Sequence, residues 1–141
     1  MIIGIGVDIV KTERFENYAA ANRKEIRQSE GPVSRSETSD KSESRFMQRV
    51  FTHREREYLS GKNEQSVAGI FAAKEAVAKA LGTGFNGFAP SDIEILHDEN
   101  GKPFVTLHGG AEKIANGVRT HVSISHTHTD ALAYAIAERE K

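Results

Sequence analysis

Residues 71–84 read Phe71-Ala72-Ala73-Lys74-Glu75-Ala76-Val77-Ala78-Lys79-Ala80-Leu81-Gly82-Thr83-Gly84, and this stretch decides the fold. With Val67 and Ile70 before it, the apolar residues Phe71, Val77, Ala80 and Leu81 recur at helical spacing. The pattern predicts a long helix over roughly 66–81, buried along one stripe and stopped by Gly82. Glu75 and Lys79 are four apart and share a face. On a solvated helix such a pair is ordinary surface chemistry worth little. Two details favour a site. Alanines surround the pair, so a ligand or second chain can approach. The helix also ends in Gly-Thr-Gly, whose backbone amides can meet a phosphate.

Working outward, the first residues are Met1-Ile2-Ile3-Gly4-Ile5-Gly6-Val7-Asp8-Ile9. Ile3, Ile5, Val7 and Ile9 alternate, which predicts a half-buried strand with those side chains inward. Its other face carries Gly4, Gly6 and Asp8, a carboxylate beside almost no bulk, where another group can come close. Asp8 and Glu75 together can hold a hard cation, because Mg²⁺ takes one or two carboxylates and fills its remaining positions with phosphate oxygens and water.

Thr12 is placed to cap a helix through Phe15, Tyr18 and Ala19. Residues 27–44 then contain Val33 as their only aliphatic side chain, which predicts a mobile polar loop. Order resumes at Arg45. Thr52 and Glu55 form a capping-box pattern for a short helix that stops near Gly61. Ile93 and Ile95, the turn at Asn100-Gly101, and Phe104 to Leu107 read as one hairpin, followed by one or two helical turns at Ala111 to Ala115. His121–Ser125 and Ala131–Ala137 read as another hairpin, with Val122, Ile124, Leu132, Tyr134 and Ile136 inward. The fold class is α+β, a mainly antiparallel sheet packed with a long helix.

His121-Val122-Ser123-Ile124-Ser125-His126-Thr127-His128 is the third polar constellation. Alternation puts His121, Ser123 and Ser125 on one face, with His126 and His128 at the turn. Three histidines permit a zinc site. A polar strand end with solvated histidines is the commoner arrangement, and the same donors can hold phosphate oxygens.

The chain has 141 residues, no cysteine and a formal net charge of −1. That length fits a single domain spanning residues 1–141. The near-neutral charge gives no reason to expect nucleic acid or an anionic membrane as partner. The absence of cysteine excludes disulfides and thiolate metal sites. No basic n-region opens the chain and no apolar run approaches a bilayer span, so a cytoplasmic location is expected.

These segments, in this order, resemble the holo-acyl-carrier-protein synthase family of 4′-phosphopantetheinyl transferases. The likeness rests on Gly4 to Ile9, Arg45 to Thr52, Phe71 to Gly84, Asn100 to Pro103, and His121 to His126. Each motif is weak alone, and five in register are specific. The departure is the loop after the first helix, longer here by roughly twenty residues than in compact members of the family.

The resemblance implies a trimer with each active site at a subunit interface. It implies transfer of phosphopantetheine from coenzyme A to a serine of apo acyl-carrier protein, in support of fatty acid biosynthesis. It makes Asp8 and Glu75 the Mg²⁺ ligands. Glu75, Lys79 and His126 become the catalytic side chains, with Lys79 holding a phosphoryl oxygen and Lys74 a weaker candidate for the same work. The general base is Glu75 or a metal-bound water, and the sequence does not choose. Thr83, Gly84, His121 and Ser123, with Lys79, become coenzyme contacts. Arg14, Arg45 and Arg49 match basic positions that dock the acidic carrier. Two rivals from other classes are a histidine-based zinc hydrolase and a trimeric module that binds coenzyme A without turning it over.

Overall fold

A computed structural model describes residues 1–20 and 39–140. Its centre is one helix lying on one sheet. The sheet has β1 (Ile2–Lys11), β5 (Asp130–Arg139) and β4 (Val118–His126), in that order and all antiparallel. A separate hairpin joins β2 (Ile93–His97) to β3 (Pro103–Leu107). The helices are α1 (Ser39–Val50), α2 (His53–Leu59), α3 (Glu64–Ala80) and α4 (Gly109–Ile114). The α+β class and the antiparallel pairing expected from the sequence are present.

Helix α3 starts two residues earlier than the periodicity implies, because Asn63 caps it through its side chain and accepts from Ser66 N at 3.2 Å. Gly82, at φ +84°, ends it. The predicted stripe understates its burial. Alanines 68, 72, 73, 76 and 78 are buried as well as the large residues, so the helix runs through the core with the sheet on one side and the β2–β3 hairpin on another. The capping box of α2 forms as expected, with Thr52 and Glu55 bonding each other's backbone amides. Asp98 closes the β2–β3 turn by accepting from the amides of Asn100 and Lys102, each at 2.9 Å.

The sheet corrects two expectations about which side faces inward. On β1 the alternation holds, but Ile5 is 56% and Ile9 65% exposed, and Ile3 and Val7 are also exposed. The bare face is the one packed on α3. A Cβ on Gly4 would lie 1.8 Å from the Ala80 carbonyl oxygen, and one on Gly6 would lie 1.9 Å from that of Ala76. The group that comes close to the glycines is the protein's own helix. On β5 the buried side chains are Ala131, Ala133, Ala135 and Ala137, while Leu132 and Tyr134 are exposed. Small residues line both strands because they let α3 settle against the sheet backbone, and size rather than hydrophobicity chose the face. On β4, Val122 and Ile124 pack inward as expected.

Two local expectations also change. Thr12 does not cap a helix; it lies inside a 3-10 turn, Thr12–Phe15, and its hydroxyl donates to the His128 carbonyl at 2.8 Å. Helical backbone follows at residues 16–20. Of the expected polar loop at 27–44, residues 27–38 lie outside the described residues, and residues 39–44 are helical turns of α1. Phe46, Met47 and Val50 anchor the far end of α1 in the core. Once a helix is nucleated by packing, each further polar residue adds a backbone hydrogen bond without needing an apolar contact.

Candidate functional site

The close fit of β1 on α3 builds the site. Gly4 lies against Ala80 and Gly6 against Ala76, so the strand runs antiparallel to the helix. Two strand residues advance about 6.6 Å and one helical turn about 5.4 Å. The next step along β1 therefore brings Asp8 beside the turn carrying Glu75. The long side chain of Lys79 reaches the same place: its Nζ donates to Asp8 Oδ1 at 3.0 Å and to the Val7 carbonyl at 2.9 Å. Asp8 has 17% of its side chain exposed and Lys79 half, so the group opens to solvent.

Glu75 is half-buried. Burial, and then the neighbouring Asp8 charge, push its carboxyl above the ordinary glutamate value, while Lys79 and Arg14 pull it back. A half-buried carboxylate whose proton affinity a neighbouring acid raises marks a site for positive charge. Among the described residues no three His, Cys, Asp or Glu side chains converge. Two carboxylates open to solvent fit Mg²⁺, which needs no more from protein when phosphate and water supply the rest. The same observation gives no support to zinc, which takes three or four protein ligands.

The other expected contacts are placed unevenly. Thr83 and Gly84 follow the C-terminus of α3. The amides of Gly82 and Gly84 donate to the Lys79 and Ala78 carbonyls, so they cap the helix and are not free for a phosphate. The Thr83 hydroxyl donates to the Gly84 carbonyl at 3.0 Å. His121 and Ser123 lie on the outer face of the sheet, paired across β5 with Ile136 and Tyr134. Asp8 points from the opposite, inner face. One chain therefore does not bring His121 and Ser123 to the carboxylates. His121 instead pairs with Glu138 at 2.8 Å, a hydrogen bond that holds the Glu138 carboxyl below its ordinary value. His126 is exposed at the end of β4, opposite Ala131. Its backbone is two strand spacings, roughly 9.6 Å, from β1.

Lys74 is removed from the phosphate candidates. It is 1% exposed and ion-paired with the fully buried Glu55 at 2.8 Å, and its Nζ also donates to the carbonyls of Pro90 and Ile93. Glu55 accepts from the amides of Thr52 and Ile95 as well. This pair ties α2, α3 and β2 together. Sequence reasoning missed it, although one signal was present: Lys74 falls on the apolar stripe between Ile70 and Val77, where a cation requires a buried acid.

Arg14 is exposed on the 3-10 turn, with its guanidinium carbon 4.7 Å from the Phe71 ring centroid. Arg45 and Arg49 are exposed one turn apart on α1. Between them Phe46 stacks on Tyr18 at 4.9 Å and meets Phe71 at 6.5 Å. Arg14 thus lies on an aromatic cluster near Glu75, and Arg45 and Arg49 are on the helix that supplies Phe46 to that cluster.

Residues 4–137 match the 4′-phosphopantetheinyl transferase superfamily. The chain belongs to that family. It is 44% identical over 149 aligned positions to a holo-[acyl-carrier-protein] synthase of Clostridium perfringens, covering 99% of this chain and 96% of the relative. The corresponding enzyme of Clostridium tetani is 42% identical, with 99% and 98% covered. In three dimensions the chain is similar to a holo-(acyl-carrier-protein) synthase of Bacillus anthracis in complex with CoA (3′,5′-ADP). That match has a TM-score of 0.71 and 32% identity, and covers 99% of both chains. A Helicobacter pylori holo-[acyl-carrier-protein] synthase in complex with coenzyme A gives a TM-score of 0.71 at 27% identity, over 95% and 99% of the two chains. The phosphopantetheinyl transferase resemblance read from five motifs therefore holds over nearly the whole chain.

Proposed function

We propose that this transferase moves 4′-phosphopantetheine from coenzyme A to a serine of apo acyl-carrier protein, using Mg²⁺ held by Asp8 and Glu75. The observation that carries the reading is the meeting of Asp8, Glu75 and Lys79 from two elements at one solvent-open point. Asp8 and Glu75 would hold a divalent ion there, which would supply neutralisation of the pyrophosphate charge. Lys79, already donating to Asp8, turns a donor to a phosphoryl oxygen and offsets charge that grows there in the transition state. The serine proton passes to Glu75 or to a water held beside it, the two bases open at this site. The serine oxygen bonds to the β-phosphorus of coenzyme A, the pyrophosphate bridge breaks, and adenosine 3′,5′-bisphosphate leaves. Chromatography of a reaction of enzyme, coenzyme A, Mg²⁺ and apo carrier tests this reading. Adenosine 3′,5′-bisphosphate forming only when carrier is present supports transfer; its formation without carrier would indicate hydrolysis instead, and no product with coenzyme A bound would indicate a binding module.

The coenzyme contacts assigned to Thr83, Gly84, His121 and Ser123, and the catalytic role of His126, belong to the same proposal. His121 and Ser123 lie across the sheet from their own Asp8. They serve the reaction from a neighbouring subunit, which is why the proposal includes a homotrimer with active sites between chains. The exposed row of Ile3, Ile5, Val7, Ile9, Leu132 and Tyr134 supports it, since contiguous apolar surface of this kind marks an interface. Ile5→Asp is expected to yield monomers by light scattering and to lose transfer with them. A fully active monomer would remove the interface assignment. No helix among the described residues is long and apolar enough to cross a membrane. Action in the cytoplasm in fatty acid biosynthesis belongs to the same proposal and rests on the family.

Carrier docking is assigned to Arg14, Arg45 and Arg49. The chain is close to neutral, so attraction to an acidic carrier must come from this local patch. Exposed pairs contribute roughly 0.2–1 kcal/mol each and raise encounter rate in a salt-dependent way. Arg14→Glu is expected to raise the KM for carrier at least several-fold more than that for coenzyme A, and to flatten the dependence on salt. Steady-state kinetics with each substrate varied at low and high salt measures this. An equal loss for both substrates would move Arg14 to the coenzyme site.

A further inference from the structure

Phe71 is buried in the aromatic core, with its ring centroid 5.2 Å from that of Phe15 and 6.5 Å from that of Phe46. The core does not use all of the ring. The Arg14 guanidinium carbon lies 4.7 Å from the Phe71 centroid and 5.5 Å from that of Phe15, within cation–π range of both. Phe71 is also one helical turn before Glu75, so the guanidinium sits on the side of α3 that carries the reaction centre. An arginine on an exposed turn ordinarily samples many rotamers and loses that freedom when it binds. Here much of the freedom is already gone. The arrangement also distinguishes arginine from lysine: a planar guanidinium stacks on a ring and still presents N–H donors at its edge to a carboxylate.

We propose that Phe71 is a positioning residue for carrier-protein docking, its ring holding the Arg14 guanidinium beside the reaction centre so that an acidic side chain of the carrier meets a pre-organised cation. The inference rests on the assignment of Arg14 to the docking surface.

The test is steady-state kinetics on wild type, Phe71→Leu, Arg14→Gln and the double variant, with each substrate varied in turn. Phe71→Leu is expected to raise the KM for apo carrier about two- to five-fold, the range of an exposed cation–π contact, and to leave the KM for coenzyme A unchanged. Phe71→Tyr, which keeps the ring face, is expected to retain the wild-type value. In the Arg14→Gln background, Phe71→Leu is expected to add nothing to the carrier KM. A purely structural role would lower turnover and thermal stability alike in both backgrounds and move both KM values, and that result overturns the inference. So does a carrier KM raised by Arg14→Gln but untouched by Phe71→Leu, which leaves the docking assignment standing. An unchanged carrier KM in Arg14→Gln overturns both. If Phe71→Leu proves too unstable to assay, Phe71→Met removes the ring while its flexible side chain fits the irregular gap better, and the same outcomes apply.

Discussion

Asp8→Ala and Glu75→Ala will each lower phosphopantetheine transfer by roughly a thousandfold or more while leaving the fold intact. The loss follows from the geometry. β1 and α3 each deliver one carboxylate to the same solvent-open point, and neither carboxylate is used to hold the fold. Asp8 is partnered by Lys79, which keeps the Val7 carbonyl as a second acceptor when Asp8 is gone. If Asp8 and Glu75 are the two protein ligands of the proposed Mg²⁺, removing either one removes several kcal/mol of transition-state stabilisation, about 1.4 kcal/mol per factor of ten. Turnover at limiting Mg²⁺, with circular dichroism on the same samples, measures both halves of the expectation. Near-wild-type turnover in either variant would remove that residue from the metal site, and a collapsed spectrum would mean that the carboxylate is structural.

The second large effect concerns stability. Lys74→Met leaves the Glu55 carboxylate fully buried without its cation. Breaking one side of a buried ion pair costs about 3–5 kcal/mol, which for a domain of this size lowers Tm by roughly 10–20 °C, compared at equal protein concentration. Burial already raises the Glu55 carboxyl above its ordinary value, and Lys74 is the largest influence opposing that shift. Without Lys74 the folded state holds the Glu55 proton to higher pH than the unfolded state does. The folded state then binds more protons, so stability falls as pH rises. The Tm deficit of Lys74→Met against wild type is therefore expected to narrow as pH is lowered from about 8 to about 5. A deficit that stays constant on acidification would place the cost elsewhere, in the lost bonds to the Pro90 and Ile93 carbonyls.

The elements were legible in the sequence, and their orientation was only partly so. The helical period of α3, the capping box of Thr52 and Glu55, and the Asn100-Gly101 turn are local signals that depend on nothing distant, and they read correctly. The inward faces of β1 and β5 did not. Alternation fixes which residues share a face but not which face is covered. Here the helix selects Gly4, Gly6 and the alanines of β5 because its backbone must approach the sheet closely. The apolar side chains of Ile5, Ile9, Leu132 and Tyr134 are left to face outward, a pattern that hydrophobicity alone assigns backwards. Lys74 shows the same limit. Its place on the apolar stripe between Ile70 and Val77 signals a buried partner, and only the fold identifies that partner as the distant Glu55. Asp8 and Glu75 were readable as a pair from their small-residue surroundings and again from the family motifs, whereas their juxtaposition depends on the glycine contact between β1 and α3.

The central claim is transfer chemistry at Asp8 and Glu75, and the intact mass of the carrier tests it most directly. Apo acyl-carrier protein is incubated with coenzyme A and this enzyme, with Mg²⁺ or with excess chelator, and then weighed by mass spectrometry beside a carrier whose acceptor serine is replaced by alanine. A gain of one phosphopantetheine group is expected on the serine carrier with Mg²⁺, none with chelator, and none on the alanine carrier. An unmodified serine carrier in the presence of Mg²⁺, or equal modification when the ion is removed, would contradict it.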